Sequence, residues 1–196
     1  MPAEASGIVL FAHGSGSSRR SPRNQTVAAG LRDARLGTLL FDLLTTEEAR
    51  KDADTGELRF DIELLTGRLT AAIDWLDSQP AAQSLPRGLF GASTGAAAAL
   101  AAAAERPDVK AVVSRGGRPD LASSAFGTLH APVLLIVGGR DEQVRTLNEV
   151  VLPDLPPDSE LAIVPGASHL FEEPGALDQV TALAAQWFTR HLGAAT

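Results

Sequence analysis

The sequence predicts an α/β architecture: a mostly parallel sheet of about six strands with helices on both faces. Three observations carry this. Short runs that are apolar throughout recur along the chain, as in strands buried on both faces of a parallel sheet. Segments with helical periodicity alternate with those runs. Clusters of glycine, serine and proline punctuate the junctions. The 196 residues suffice for a sizeable core and are taken as one domain, 1–196.

The first apolar run is Gly7 to Ala12, and His13-Gly14-Ser15-Gly16-Ser17-Ser18 ends it abruptly. That loop lacks the Lys-Ser/Thr of a phosphate-binding P-loop and the three-glycine spacing of a dinucleotide site. Asn24 to Arg35 reads as the first helix and Thr38 to Leu44 as the second strand. Thr45 to Asp61 is the one polar segment, rich in Glu47, Glu48, Asp52, Asp54 and Glu57. It reads as a solvated loop, with a mobile flap as the alternative. Ile62, Leu65, Leu69, Ile73 and Leu76 recur at steps of three and four, an amphipathic helix that ends before Pro80. Leu89-Phe90 closes a third strand, and Thr94 to Glu105 forms an alanine-rich helix that stops before Pro107. Val109 to Val113, Pro132 to Val137 and Leu161 to Val164 are the remaining strands. Pro132 stands at the first strand position, where its missing N–H does least harm. A closing helix sets Leu177, Val180, Ala184, Trp187 and Phe188 on one face.

Composition narrows the function classes. A net charge of −7 argues against a general nucleic-acid binder. No apolar run approaches the roughly 20 residues that a membrane span needs. The start, Met1-Pro2-Ala3-Glu4, lacks the basic residues of a signal peptide. Zero cysteines remove disulfides, thiolate metal sites and a cysteine nucleophile together. The expected location is the cytoplasm, with neither nucleic acid nor membrane as partner.

Gly91-Ala92-Ser93-Thr94-Gly95 sits between the third strand and the alanine-rich helix. A serine with glycine at both second neighbours, at a strand-to-helix turn, has the pattern of a nucleophile elbow, whose tightness leaves no room for side chains at the glycines. The plainer reading is a turn with a helix-capping serine. In the elbow reading Ser93 projects above the carboxyl edge of the sheet. The positive end of the following helix then faces the place where an oxyanion would form.

A serine nucleophile needs a base, and the chain has four histidines. His130 precedes a strand and falls at the opposite end of the sheet. His191 lies in the last turn of the final helix. His13 follows the first strand at the right edge; it reads first as an anchor for its glycine loop, with a role as base left open. His169 follows the last strand at the same edge as Ser93 and is the best base. For the orienting acid, Asp141 lies four residues past Val137; Asp120 is its rival and Asp42 is less well placed. The order Ser93, Asp141, His169 is nucleophile, acid, histidine.

With these residues in view the chain resembles the α/β-hydrolase superfamily, and within it the small dienelactone-hydrolase-like serine hydrolases. The carriers are the His13-Gly14-Ser15-Gly16 loop, the Gly91-to-Gly95 turn, Val137-Gly138-Gly139-Arg140-Asp141 and Pro165-Gly166-Ala167-Ser168-His169-Leu170-Phe171. The resemblance implies a sheet order 2-1-3-4-5-6 and catalysis by Ser93, His169 and Asp141. It also implies an oxyanion hole built from the N–H groups of Thr94 and Ser15, with no metal or organic cofactor. Two departures stand out. Dienelactone hydrolases proper use a cysteine where this chain has Ser93, which favours esterase-type chemistry. The superfamily's usual N-terminal hairpin is missing, and the Val113-to-Pro132 connection is too short for a large cap domain.

The expected substrate is a small ester, thioester or lactone. Arg19, Arg115 and Arg118 fall in loops at the site edge and suggest recognition of an anionic group on it, against the plainer reading of solvated surface arginines. A ligand-binding protein without turnover, or an acyltransferase, is the alternative. The implied order leaves Thr38 to Leu44 on the sheet edge, which suggests a homodimer across it.

Overall fold

In the computed structural model, which describes residues 1–2 and 4–193, six strands form one sheet in the order β2-β1-β3-β4-β5-β6. They are β1 (Ile8–Ala12), β2 (Gly37–Leu40), β3 (Arg87–Ala92), β4 (Val109–Arg115), β5 (Val133–Gly138) and β6 (Glu160–Val164). Every neighbouring pair is parallel, so all loops that follow strands gather at one carboxyl edge. The helices are α1 (Pro22–Asp33), α2 (Thr46–Thr55), α3 (Ile62–Asp77), α4 (Thr94–Glu105), α5 (Glu142–Val151) and α6 (Ala176–Leu192).

The continuous apolar runs have their cause in this layering. Leu10, Leu89, Val112 and Leu135 feed a core shared with α3 and α4, while Val9, Phe11, Phe90 and Ile136 feed the opposite one, shared with α1 and α6. Alternate residues of one strand therefore enter different cores, and the middles of the strands are apolar on both faces.

Two expectations need correction. The second strand ends at Leu40 rather than Leu44; Leu43 and Leu44 leave the ladder and line a cavity instead. A four-residue edge strand is one of the ways proteins blunt an edge, which weakens the argument for pairing there. The polar Thr45-to-Asp61 segment is no loop but α2 followed by a 3-10 turn at Leu58–Phe60. Its start is a capping box: Thr45 Oγ1 accepts the Glu48 N–H at 3.2 Å, and Glu48 Oε2 accepts the Thr45 N–H at 2.7 Å. Gly56, with φ +68, closes it in the left-handed conformation that a side chain would resist.

Candidate active site

The turn at Ser93 is as sharp as its glycines predict. Ser93 has φ 51 and ψ −122, a backbone region that non-glycine residues avoid and that functional turns hold under strain. A Cβ at Gly91 would meet the Ala96 amide nitrogen at 2.7 Å, and one at Gly95 the His13 carbonyl oxygen at 2.5 Å. Both would strike backbone, so the two glycines let α4 and the β1 loop close around the serine. The Ser93 N–H donates to the Arg115 carbonyl at 3.1 Å, which ties the turn to the tip of β4. Thr94 and Gly95 begin α4, and their N–H groups have no acceptor within the helix.

Asp141 and His169 reach each other because the loops after β5 and β6 are sewn together. Gly139 N–H donates to Val164 O at 2.9 Å and Arg140 N–H to Ala167 O at 3.0 Å. His169 Nδ1 then lies 2.6 Å from Asp141 Oδ2. An ionised carboxylate only accepts, so Nδ1 carries the proton and the Nε2 lone pair remains. The His169 ring also packs over Gly116, where a Cβ would stand 3.5 Å from its Cε1. Gly116 directly follows Arg115, to whose carbonyl Ser93 is bonded, so imidazole and serine flank the same strand tip. No Ser93 Oγ hydrogen bond to the imidazole is formed among the described residues.

The other candidates are spent elsewhere. His13 donates Nδ1–H to Gly14 O at 3.0 Å and accepts the Leu43 N–H on Nε2 at 3.1 Å, so it anchors its loop and has no nitrogen left for the serine. Asp120 receives both arms of Arg118, at 2.8 and 2.7 Å, and the guanidinium holds its carboxyl below the usual range. Asp42 is bonded to the Arg19 side chain and accepts the Arg19 N–H at 2.7 Å.

The set of free arginines expected at the rim is not formed. Arg19 and Arg118 are each neutralised by their own carboxylate, Asp42 and Asp120. Arg115 is buried, with no partner for Nη1 among the described residues, and burial together with nearby Arg23 lowers its guanidinium to about 10. Two of the three are therefore paired within the chain at its surface, and the third is a buried cation.

One residue with a part in the site escaped sequence reasoning. Glu173 Oε2 accepts the Ser168 N–H at 3.0 Å, and the same carboxylate pairs with Arg140. The Ser168 bond, the Glu173 backbone and Arg140 hold its pKa down to about 2. Glu173 thus staples the His169 loop to the Asp141 loop. Nothing in its spacing marks it off from Glu172, which points instead to Arg23.

Among the described residues, no group of His, Cys, Asp and Glu is placed to hold a metal ion, and no helix is long and apolar enough to cross a membrane.

A parallel sheet with a strained serine turn, and an acid-tethered histidine on the same edge, defines the hydrolase class built on this sheet. The chain belongs to the α/β-hydrolase family: the family described as alpha/beta hydrolase domain matches residues 5–187. It is similar to the crystal structure of a dienelactone hydrolase from Anabaena variabilis, at 60% identity with TM-score 0.95, covering 97% of this chain and 89% of that one. An esterase domain from Rhodothermus marinus shares the fold at 22% identity and TM-score 0.75, covering 98% and 91%. A Mycobacterium tuberculosis protein provisionally named as a phosphoribosyl transferase is 58% identical over 193 residues, 98% of this chain. The chain spans 43% of that relative's length.

Proposed function

We propose that the chain is a serine hydrolase that cleaves a small carboxylic ester, thioester or lactone through an acyl-enzyme on Ser93. The observation that carries this is the His169–Asp141 bond, which leaves imidazole Nε2 available at the edge where Ser93 is held in its strained turn. The similarity to the Anabaena variabilis dienelactone hydrolase, at 60% identity, supports a hydrolase.

In this mechanism His169 Nε2 takes the proton as Ser93 Oγ attacks the carbonyl carbon. Asp141 fixes the imidazole tautomer and stabilises the imidazolium. The N–H groups of Thr94 and Ser15 hold the tetrahedral oxyanion. Loss of one such donor costs about 3–4 kcal/mol of transition-state stabilisation. His169 then returns its proton to the departing alcohol, thiol or lactone oxygen. Water attacks the acyl-enzyme by the same route and frees Ser93. No step calls on a metal or organic cofactor.

The transferase name of the mycobacterial relative belongs to a protein more than twice the length of the matched part, and no phosphoribosyl transfer is assigned to this chain. A fluorophosphonate probe together with p-nitrophenyl ester turnover tests the reading. Labelling and turnover that both vanish in Ser93→Ala are expected. Turnover that survives that change, or a wild-type chain that neither labels nor turns over, would leave a ligand-binding protein as the better reading. Ester consumption that depends on an added alcohol or amine rather than water would mark an acyltransferase.

A further inference from the structure

A cavity of about 520 Å³ lies between the oxyanion loop and α2, and the catalytic assignment does not use it. Leu43, Leu44 and Leu65 give it an apolar floor, and Ala49 and Ala53 of α2 form part of its roof. Its size is that of a small-molecule site.

The roof is built unlike an ordinary surface helix. Thr46, Ala49, Arg50 and Ala53 follow the i, i+3, i+4, i+7 spacing of one helix face, and all four line the cavity. In a helix docked on a core those positions carry large apolar side chains. Here two are exposed alanines. What holds α2 in place is polar and peripheral. Glu48 pairs with Arg68 of α3 at 2.5 Å, and buried Asp52 accepts the Arg59 Nε–H at 2.6 Å. The helix is thus pinned at its rim and arches over space that its own side chains do not fill.

The position of that space relative to the chemistry identifies its occupant. Gly14 separates it from the nucleophile: a Cβ on Gly14 would stand 3.2 Å from Ser93 Cβ. The cavity lies on the β1–β2 side of Ser93, whereas Asp141 and His169 follow β5 and β6 on the other side. A leaving group must stand within reach of His169 Nε2 to receive its proton, so it occupies the histidine side. The remaining substituent of the carbonyl carbon then projects the opposite way, past Gly14.

We propose that this cavity is the acyl pocket, that it accepts an apolar acyl group such as a medium alkyl chain or a ring, and that Ala49 and Ala53 set its depth. The assignment rests on the hydrolase reading above.

The test is kcat/KM for p-nitrophenyl acetate, butyrate and octanoate in the wild type, Ala49→Leu and Ala53→Leu. Both positions are exposed, so the larger side chain enters the cavity without displacing a packed neighbour. Acetate turnover within about twofold of wild type, with octanoate lower by about tenfold or more, is the expected result. A chain-length profile that stays unchanged in both variants while acetate is still hydrolysed overturns the acyl pocket and leaves the hydrolase standing. So does a change of selectivity confined to the alcohol portion in a series of acetate esters. A wild-type chain that hydrolyses no ester and takes no label at Ser93 ends both.

Discussion

The imidazole of His169 is held by Asp141 at 2.6 Å, and the two residues come from neighbouring loops joined by backbone hydrogen bonds and by the Glu173 carboxylate. The bond fixes which ring nitrogen carries the proton. Asp141→Asn would keep the shape and offer a donor where an acceptor stood, so the ring would flip its tautomer. A kcat loss of about ten-thousandfold with an unchanged circular dichroism spectrum is expected. Asp120→Asn, which removes only the partner of Arg118, is expected to leave p-nitrophenyl ester turnover near the wild-type value.

The glycines at 91 and 95 are a packing requirement of the Ser93 turn. Gly95→Ala would press a methyl group onto the carbonyls of Ala12 and His13, which forces the β1 loop away from α4. Overpacking of this kind costs about 1–3 kcal/mol. The urea midpoint should fall accordingly, and turnover should fall further than the stability loss explains, since the displaced loop carries Ser15.

Glu173 gives a dependence on pH with a definite sign. Its folded pKa of about 2 lies below the ordinary glutamate value of 4.5, so the unfolded chain binds the proton more tightly in that window. Its stabilisation is complete above 4.5 and is lost as pH falls through about 2. Thermal melts at stepped pH should show Tm declining across that interval in the wild type and a shallower decline in Glu173→Gln. The same variant should lower kcat at neutral pH, because the His169 loop loses its tie at Ser168.

Arg115 is a buried cation that pairs with no carboxylate among the described residues. Burial first, and Arg23 second, lower its guanidinium to about 10, so below about pH 10 the folded state carries a charge it disfavours. At 1.36 kcal/mol per unit this is a penalty of up to about 3 kcal/mol. Arg115→Met keeps length and volume and removes the charge, and it is expected to raise the urea midpoint at neutral pH.

Much of this fold was legible because its strands are buried on both faces: Ile8 to Ala12 and Val133 to Gly138 could be little else. The strand order was legible through the resemblance to the family, and Asp141 and His169 were placed at one edge because each follows a strand there. The α2 segment was not. Its inward face carries threonine, alanine and arginine because it meets a cavity rather than a core, so the apolar period that announces a helix is missing; only the Thr45–Glu48 capping box marked it. Leu43 and Leu44 misled for the complementary reason, since apolar residues that line a cavity look like strand. The partners of Arg19 and Arg140 were invisible because Asp42 and Glu173 lie far along the chain, whereas Asp120 stands two residues from Arg118 and was read as a rival acid instead of its partner.

The alanines of α4 are buried along nearly its whole length, and their small size lets the helix axis ride low on the sheet. Helix-to-sheet spacing thereby becomes the gauge that sets the height of residue 93 above the strand tips. A single bulky replacement at Ala102 or Ala103, about two and a half turns along the helix from residue 93, would act as a shim: it would tilt the whole rod and shift the hydroxyl at its other end.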